Sequence, residues 1–535
     1  MATDFIAEQL KLPQRTLFPL LPFVWLMLLW NLGDFGLLED NDARFFEISN
    51  AMAQSGDWLI PRLNGIVHFH KPPLTFWAVG SSLKLFGTSV WAGRLPVAVA
   101  SFLLLCCVRI LKPDSTWGPL ILLTSLEYWF LSRLVLTDMF LALTVGTAMA
   151  CYWRSRSSED RKWNLAFWFS LGLSFLTKGP VGPAILALTL VGFHAVGGTV
   201  DWKRLLHPSG LLVFLATLLP WYTLAWWKYP KLLSYLFFFQ TVDRVATEVH
   251  GRGGPIWFYL PVILGGFFPW SASLWVTLPN AVRRGDPLDR FLLAWLLGPL
   301  LLFSLSGSKL PTYLLPLFPA LALLTARALE KSETARKVAV SCSVALGALA
   351  LALLFLLSDK LPVELVPARD YLLGAGLTTG AAAVVGFVLI KQGKPMKATA
   401  STGLGFALTL LILSGALGVT DRFYSSRALA EFIIKLEHGD DLLVAEYRDH
   451  LHGLPVYLKR RIVQISYPRE TQFEKDDEFK SYLFKDIQSF QNFAGKRPFL
   501  LVLSESDYTP NQFPNFEAHR VGQWYVLDSR KALTQ

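Results

Sequence analysis

Apolar runs, each long enough or nearly long enough to cross a bilayer, follow one another along most of this chain, and that succession excludes most other architectures. A helix needs about 20 apolar residues to cross the hydrocarbon core. Runs of that kind fall at 16–33, 93–111, 117–132, 136–153, 163–177, 180–197, 210–228, 256–279, 290–306, 310–328, 338–357, 370–391 and 399–420. They predict an α-helical polytopic membrane protein of about 13 transmembrane helices. Composition agrees: 53% of residues are hydrophobic and 17% charged, with a mean hydropathy of +0.40, against roughly a quarter charged in an average soluble domain. The 19 Trp and 39 Phe suit wide membrane interfaces, where amphipathic rings anchor helices. No small-residue cleavage site follows the first run, which reads as an uncleaved span.

The net charge of +10 does not point to nucleic acid, because Lys and Arg fall in short connectors between apolar runs. If Lys11 and Arg15 are cytoplasmic, the same side collects Lys112, Arg154, Arg156, Arg161 and Lys162, then Lys203, Arg204, Arg283, Arg284, Lys331, Arg336, Lys337, Lys391, Lys394 and Lys397. The short outer connectors carry isolated basic residues such as Arg133, Lys178 and Lys309. A further span at 72–86 would invert every later connector, so that short apolar run is expected to be an interfacial or re-entrant helix. Cys106, Cys107, Cys151 and Cys342 lie in or at the edge of apolar segments and offer neither a disulfide framework nor metal spacing.

This parity places residues 1–420 in a transmembrane domain with two long outer loops, 34–92 and 229–255. Within the second loop, Asp243–Pro255 has the composition of a mobile cover, with Gly251, Gly253 and Gly254. Residues 421–535 lose the apolar character and carry strand-like runs at Asp441–Ala445, Arg461–Ile465, Pro498–Leu503 and Trp524–Leu527. They are expected to form a small extracytoplasmic α/β domain. No strand, glycine loop and helix unit for a nucleotide is evident, so no nucleotide cofactor is expected.

The first outer loop opens with Glu39-Asp40-Asn41-Asp42, and Arg44 and Glu47 follow at helical spacing. A carboxylate there can take a proton from a hydroxyl or amine nucleophile; a helix N-terminus also welcomes acids for structural reasons alone. Lys178 and Lys309 stand at span ends on the side where positive charge is scarce. They suit either a departing phosphate or snorkelling to the interface. Asp138, at a span edge, is costly to bury unpaired, and Arg44, Arg94 and Arg133 are its expected partners.

The same loop continues with Gly56-Asp57-Trp58, then His68-Phe69-His70-Lys71-Pro72-Pro73, and Arg94-Leu95-Pro96 opens the next span. Leu136-Thr137-Asp138, Thr177-Lys178-Gly179-Pro180, Phe268-Pro269-Trp270 and Ser308-Lys309-Leu310-Pro311-Thr312-Tyr313 come later. In order and spacing, from about Leu37 to Leu324, these resemble the motifs of GT-C glycosyltransferases of the aminoarabinose transferase and protein O-mannosyltransferase group. The resemblance implies transfer of a sugar, with inversion, from a polyprenyl-phosphate donor to a lipid, glycan or protein acceptor. It also implies a plasma (inner) membrane location with the site on the extracytoplasmic face.

By that resemblance Asp42 is the catalytic base, with Asp40 and Glu39 in reserve, since a gapless match puts Asn41 where the family has its Asp. Lys309, Lys178, Arg44 and Tyr313 would hold the donor phosphate, and Asp138 and Glu47 would be substrate-binding or structural acids. His70 stands where the family usually has a Glu that shares a metal with a mid-chain His. His70 and His250 together offer two imidazole nitrogens suited to zinc, with hydrogen bonding as the competing role. A polytopic transporter or lipid flippase is the rival reading; it would place acids near the middle of spans, whereas these lie in a loop.

Overall fold

The computed structural model describes residues 21–158, 160–237, 253–357, 365–437, 442–467, 482–510, 513 and 515–533. His250 and most of the Asp243–Pro255 cover lie outside the described residues. Contacts group the chain into two compact units. One takes in the described residues up to Leu32, His70–Thr75 and Arg94–Ala416. The other takes in Gly33–Phe69, Phe76–Gly93 and the described residues from Leu417 onward.

The first unit is helical. Among the described residues of the whole chain, six helices are long and apolar enough to cross a bilayer: Val90–Leu111, Pro208–Lys228, Pro287–Leu305, Pro311–Lys331, Val366–Lys391 and Pro395–Tyr424. The pair Tyr259–Gly266 and Ser271–Arg284, bent by 116°, makes a seventh if counted as one span. The chain is a multi-pass membrane protein on this count. The run expected at 117–132 is two short helices, Trp117–Leu123 and Leu126–Leu131. Between them the hydroxyls of Thr124 and Ser125 donate back to the carbonyls of Leu120 and Ile121, which competes with continuation of the helix.

Two further helices place charged groups. Asp160 caps Arg161–Lys178 by accepting the Lys162 N–H at 2.9 Å. Gly179 ends it at φ 64°, in the region that L side chains avoid. Lys178 is therefore a last-turn cation, where the helix macrodipole favours positive charge. Thr137–Ser155 packs against this helix and carries Asp138 in its first turn, where the dipole favours an anion. The Pro311–Leu317 3-10 segment packs on Thr137–Ser155 and brings Tyr313.

The second unit holds two sheets. A hairpin pairs β1 (Arg62–Leu63) with β2 (Ile66–Val67) through the two-residue turn Asn64-Gly65. Asn64 at φ 47° and Gly65 at φ 85° supply the two positive φ values that such a turn requires. The larger sheet contains β3 (Leu443–Tyr447), β4 (Val463–Ile465), β5 (Leu483–Phe484), β6 (Phe499–Ser504), β7 (Glu517–Val521) and β8 (Trp524–Asp528). Its order is β5-β4-β3-β6-β8-β7; β5, β4, β3 and β6 run parallel, and β8 is antiparallel to both β6 and β7.

Both faces of this sheet are covered. Val444, Leu500, Val502 and Val526 pack with Leu429 and Ile433 of the Arg427–Glu437 helix. Ala445, Leu501, Leu503 and Leu527 pack with Phe490 and Ala494 of the Ile487–Ala494 helix. Alternate residues go to opposite faces, and two apolar faces explain why Phe499-Leu500-Leu501-Val502-Leu503 is an unbroken apolar run rather than an alternating one.

Residues 41–55 are helical, as the Arg44 and Glu47 spacing predicts. The apolar run at 72–86 gives the helix Leu74–Phe86, whose 13 residues are too few to cross a membrane.

Candidate functional site

In the helical unit Lys178 Nζ is 2.7 Å from Asp138 Oδ1, and the ammonium lies 4.4 Å from the centre of the Tyr313 ring. Lys178 thus partners Asp138, which none of the expected arginines does. Arg133 instead stacks on Trp129 and donates to the carbonyls of Met27 and Trp30. Arg94 donates to the Leu32 carbonyl, and Arg44 Nε donates to His452 Nε2 in the other unit.

One face of Lys178 opens on a cleft lined by His70, Lys71, Pro72, Gly179, Pro180, Tyr222, Leu236 and Phe237. The His-Lys-Pro and Lys-Gly-Pro motifs, a hundred residues apart in the chain, meet there. The His70 ring is tilted against Tyr235, 6.1 Å between centroids, and its carbonyl accepts from Lys71 Nζ. Lys309 is buried, and its Nζ donates to the Ser306 carbonyl at 2.6 Å, just past the end of the Pro287–Leu305 helix. Glu127 was not singled out by any motif; its two carboxylate oxygens are buried without a hydrogen-bond partner among the described residues.

The acids of the first loop lie in the other unit, and the structure distinguishes them. Asp40, at φ 65°, is exposed. Asp42 is buried in the first helical turn, and its Oδ2 accepts the Leu38 N–H at 3.1 Å. Glu39 accepts the backbone N–H groups of Ser426 and Gly453. Burial outweighs those hydrogen bonds and pushes its carboxyl up to about 7.

Glu47 Oε1 accepts the Asn64 N–H at 2.6 Å, and Asn64 is itself held by a two-way hydrogen bond to the backbone of Ile462. Glu47 Oε2 faces His450 Nε2 and His452 Nδ1, each at 3.8 Å. Glu446 Oε2 is 2.7 Å from His450 Nδ1. Burial works against a charged His450, yet Glu446 and Glu47 prevail and push it up to about 10. Sequence reasoning missed His450, His452 and Glu446. The signal was a His-x-His pair just past an apolar strand, with an acid at its end.

Several comparisons bear on this geometry. Residues 70–227 match the family model described as dolichyl-phosphate-mannose-protein mannosyltransferase. A protein of Edwardsiella ictaluri named undecaprenyl phosphate-alpha-4-amino-4-deoxy-L-arabinose arabinosyl transferase is 31% identical over 309 residues, which is 54% of this chain and 55% of that relative. The match therefore spans about half the length of each. A protein of the same name from Pseudomonas paraeruginosa is 29% identical over 79% of this chain and 77% of its own. The crystal structure of ArnT from Cupriavidus metallidurans bound to undecaprenyl phosphate superposes with a TM-score of 0.85 at 22% identity, over 97% of this chain and 98% of that one.

The chain shares the GT-C fold of that ArnT structure. Within that GT-C frame, the Lys178–Asp138–Tyr313 cluster comes from three of the motifs read in the sequence, and Glu47 from a fourth. Of the resemblance's expected metal pair, His70 is described and His250 is not. Among the described residues, the three or more His, Cys, Asp or Glu whose ligand atoms converge are Glu47, His450 and His452.

Proposed function

We propose that this chain is a glycosyltransferase that moves a sugar from a polyprenyl-phosphate donor to a lipid, glycan or protein acceptor, with inversion at the anomeric carbon. The observation that carries the reading is the cleft where Lys178, braced by Asp138 and Tyr313, stands beside His70 and Lys71 among apolar helices. A lipid-linked phosphate needs that combination of cationic groups and apolar surroundings. As the anomeric C–O bond breaks, negative charge grows on the phosphate, and fixed cations stabilise it most when water is excluded. Lys309 and Lys178 are assigned that role, with Arg44 and Tyr313 as further phosphate residues. Asp42 is assigned the acceptor proton, with Asp40 and Glu39 behind it.

The names of the relatives make undecaprenyl phosphate-linked 4-amino-4-deoxyarabinose the first donor to try. The chain is placed in the plasma membrane with thirteen spans, its site outside, and residues 421–535 as an extracytoplasmic α/β domain. Zinc shared by His70 and His250 belongs to this reading as a cofactor implied by resemblance, and it is lost if His70→Ala leaves the metal content unchanged.

The test is mass spectrometry of envelope extracts from strains with and without the chain, followed by transfer with the purified protein. A product heavier by one sugar, with release of free polyprenyl phosphate, is expected. Movement of the lipid-linked sugar across vesicles without transfer would instead favour a flippase.

A further inference from the structure

We propose that Glu47, His450 and His452 form a zinc site of their own, in the unit that carries the six-stranded sheet. The ligand atoms of the three side chains lie within 4.8 Å of one another, and all three residues are buried. Two of those atoms, Glu47 Oε2 and His450 Nε2, are enclosed and have no hydrogen-bond partner among the described residues. A buried carboxylate oxygen and a buried ring nitrogen left unpaired are costly, and a cation between them removes the cost. Bonds of about 2.0–2.1 Å in a tetrahedral site hold neighbouring ligand atoms roughly 3.3 Å apart. Glu47 Oε2 already lies 3.8 Å from His450 Nε2 and 3.8 Å from His452 Nδ1, so small side-chain rotations close the set.

The surroundings are those of a metal centre. Glu446 Oε2, 2.7 Å from His450 Nδ1, fixes the ring so that Nε2 turns towards Glu47. A carboxylate behind a ligating imidazole sets its tautomer and raises its basicity. Glu446 is also tied to the chain by the Leu451 N–H. On the far side, Asn64 holds Glu47 Oε1. Two imidazoles and a carboxylate suit zinc, with one position left for water or a ligand.

The sheet topology puts the site where such folds bind ligands. From β3 the chain passes to β4 and β5 on one side and then crosses to β6 on the other. All four strands are parallel, so β3 stands at the switch point, and crevices beyond the carboxyl ends of strands at such a point receive ligands. His450 and His452 lie in the loop that leaves the carboxyl end of β3, where Arg448 at φ 63° turns the chain.

Loading has one consequence. Arg44 Nε donates to His452 Nε2 at 3.1 Å, which leaves the ring proton on Nδ1. A metal on Nδ1 moves that proton to Nε2, so Arg44 must release the ring. Arg44 precedes Glu47 by one helical turn.

The experiment uses the full chain carrying His70→Ala, so that no ion at His70 and His250 is counted. The protein is stripped with chelator and dialysed against low-micromolar zinc, and metal content and thermal melting are measured. One zinc per chain and a raised Tm are expected. His450→Gln or Glu47→Gln should abolish both effects, and Glu446→Gln should weaken zinc roughly 10- to 100-fold. Should the ligand variants fail to fold, X-ray absorption at the zinc edge of the His70→Ala protein decides, with two imidazole nitrogens and oxygen expected. Absence of stoichiometric zinc in that protein overturns the proposal and leaves a protonated His450 bridging Glu446 and Glu47. Zinc retained by folded His450→Gln overturns it too. Neither result touches the sugar-transfer reading, whose test is product mass.

Discussion

Lys178 and Asp138 are joined at 2.7 Å, with only 10% and 9% of their side chains exposed, although 40 residues separate them in the chain. They come from the start of one helix and the end of the one that follows it. Each charge makes the other tolerable in an apolar setting. Tyr313 adds the face of its ring to the ammonium.

That coupling separates a structural role from a catalytic one. Lys178→Met and Asp138→Asn should each cost about 3–5 kcal/mol, because each strands a buried charge. The double variant should cost less than the sum, since the two residues interact directly. Thermal melting in detergent gives the stabilities. If Lys178 also holds phosphate, the double variant stays inactive while its stability returns; recovery of turnover along with stability would reduce the pair to a brace.

Lys309→Ala should lower turnover by a factor of about 10² or more with little change in melting, as removal of charge stabilisation at a leaving group does. Lys309→Arg should keep part of the activity, since it retains charge with a different donor geometry. The measurement is the rate of polyprenyl phosphate release. Wild-type rates in Lys309→Ala would leave Lys309 as a cap on the Ser306 carbonyl.

Asp42→Asn removes a base but keeps an oxygen able to accept the Leu38 N–H. Turnover should fall roughly 10²- to 10⁴-fold while the fold survives. Asp40→Asn and Glu39→Gln should each reduce activity less, and Asn41→Asp should be tolerated. Product mass with expression controls reads the outcome. A dead Asp40→Asn beside an active Asp42→Asn would move the base to the exposed acid.

Glu39 gives a pH dependence with a definite sign. Burial raises its folded value to about 7 from an ordinary 4.5. Between those values the unfolded chain releases a proton that the folded chain keeps. The contribution is therefore full below about pH 4.5 and is lost as pH rises through about 7. Glu39→Gln should flatten the melting profile across that window by on the order of 1 kcal/mol, discounted for partial exposure. Profiles of identical slope for the two proteins would assign the pH response to other groups.

The sequence by itself determined the membrane character, the helices that start or end at Asp138 and Lys178, and the loop helix carrying Asp42, Arg44 and Glu47. It determined four of the six strands of the larger sheet as well, because each depends on local period, capping and turn chemistry, which neighbouring residues settle among themselves; the short edge strand Leu483–Phe484 and the mostly exposed edge strand Glu517–Val521 carry no apolar run to mark them. Which charges would meet was decided only by the tertiary structure. Asp138 found Lys178 rather than an arginine because two packed helices bring their opposite ends together. Glu47, His450 and His452 converge across some 400 residues of chain. Spacing along a sequence carries no record of such a meeting, since loop closure over long separations costs little more with each added residue. The fold pays that small entropy wherever burial of side chains repays it.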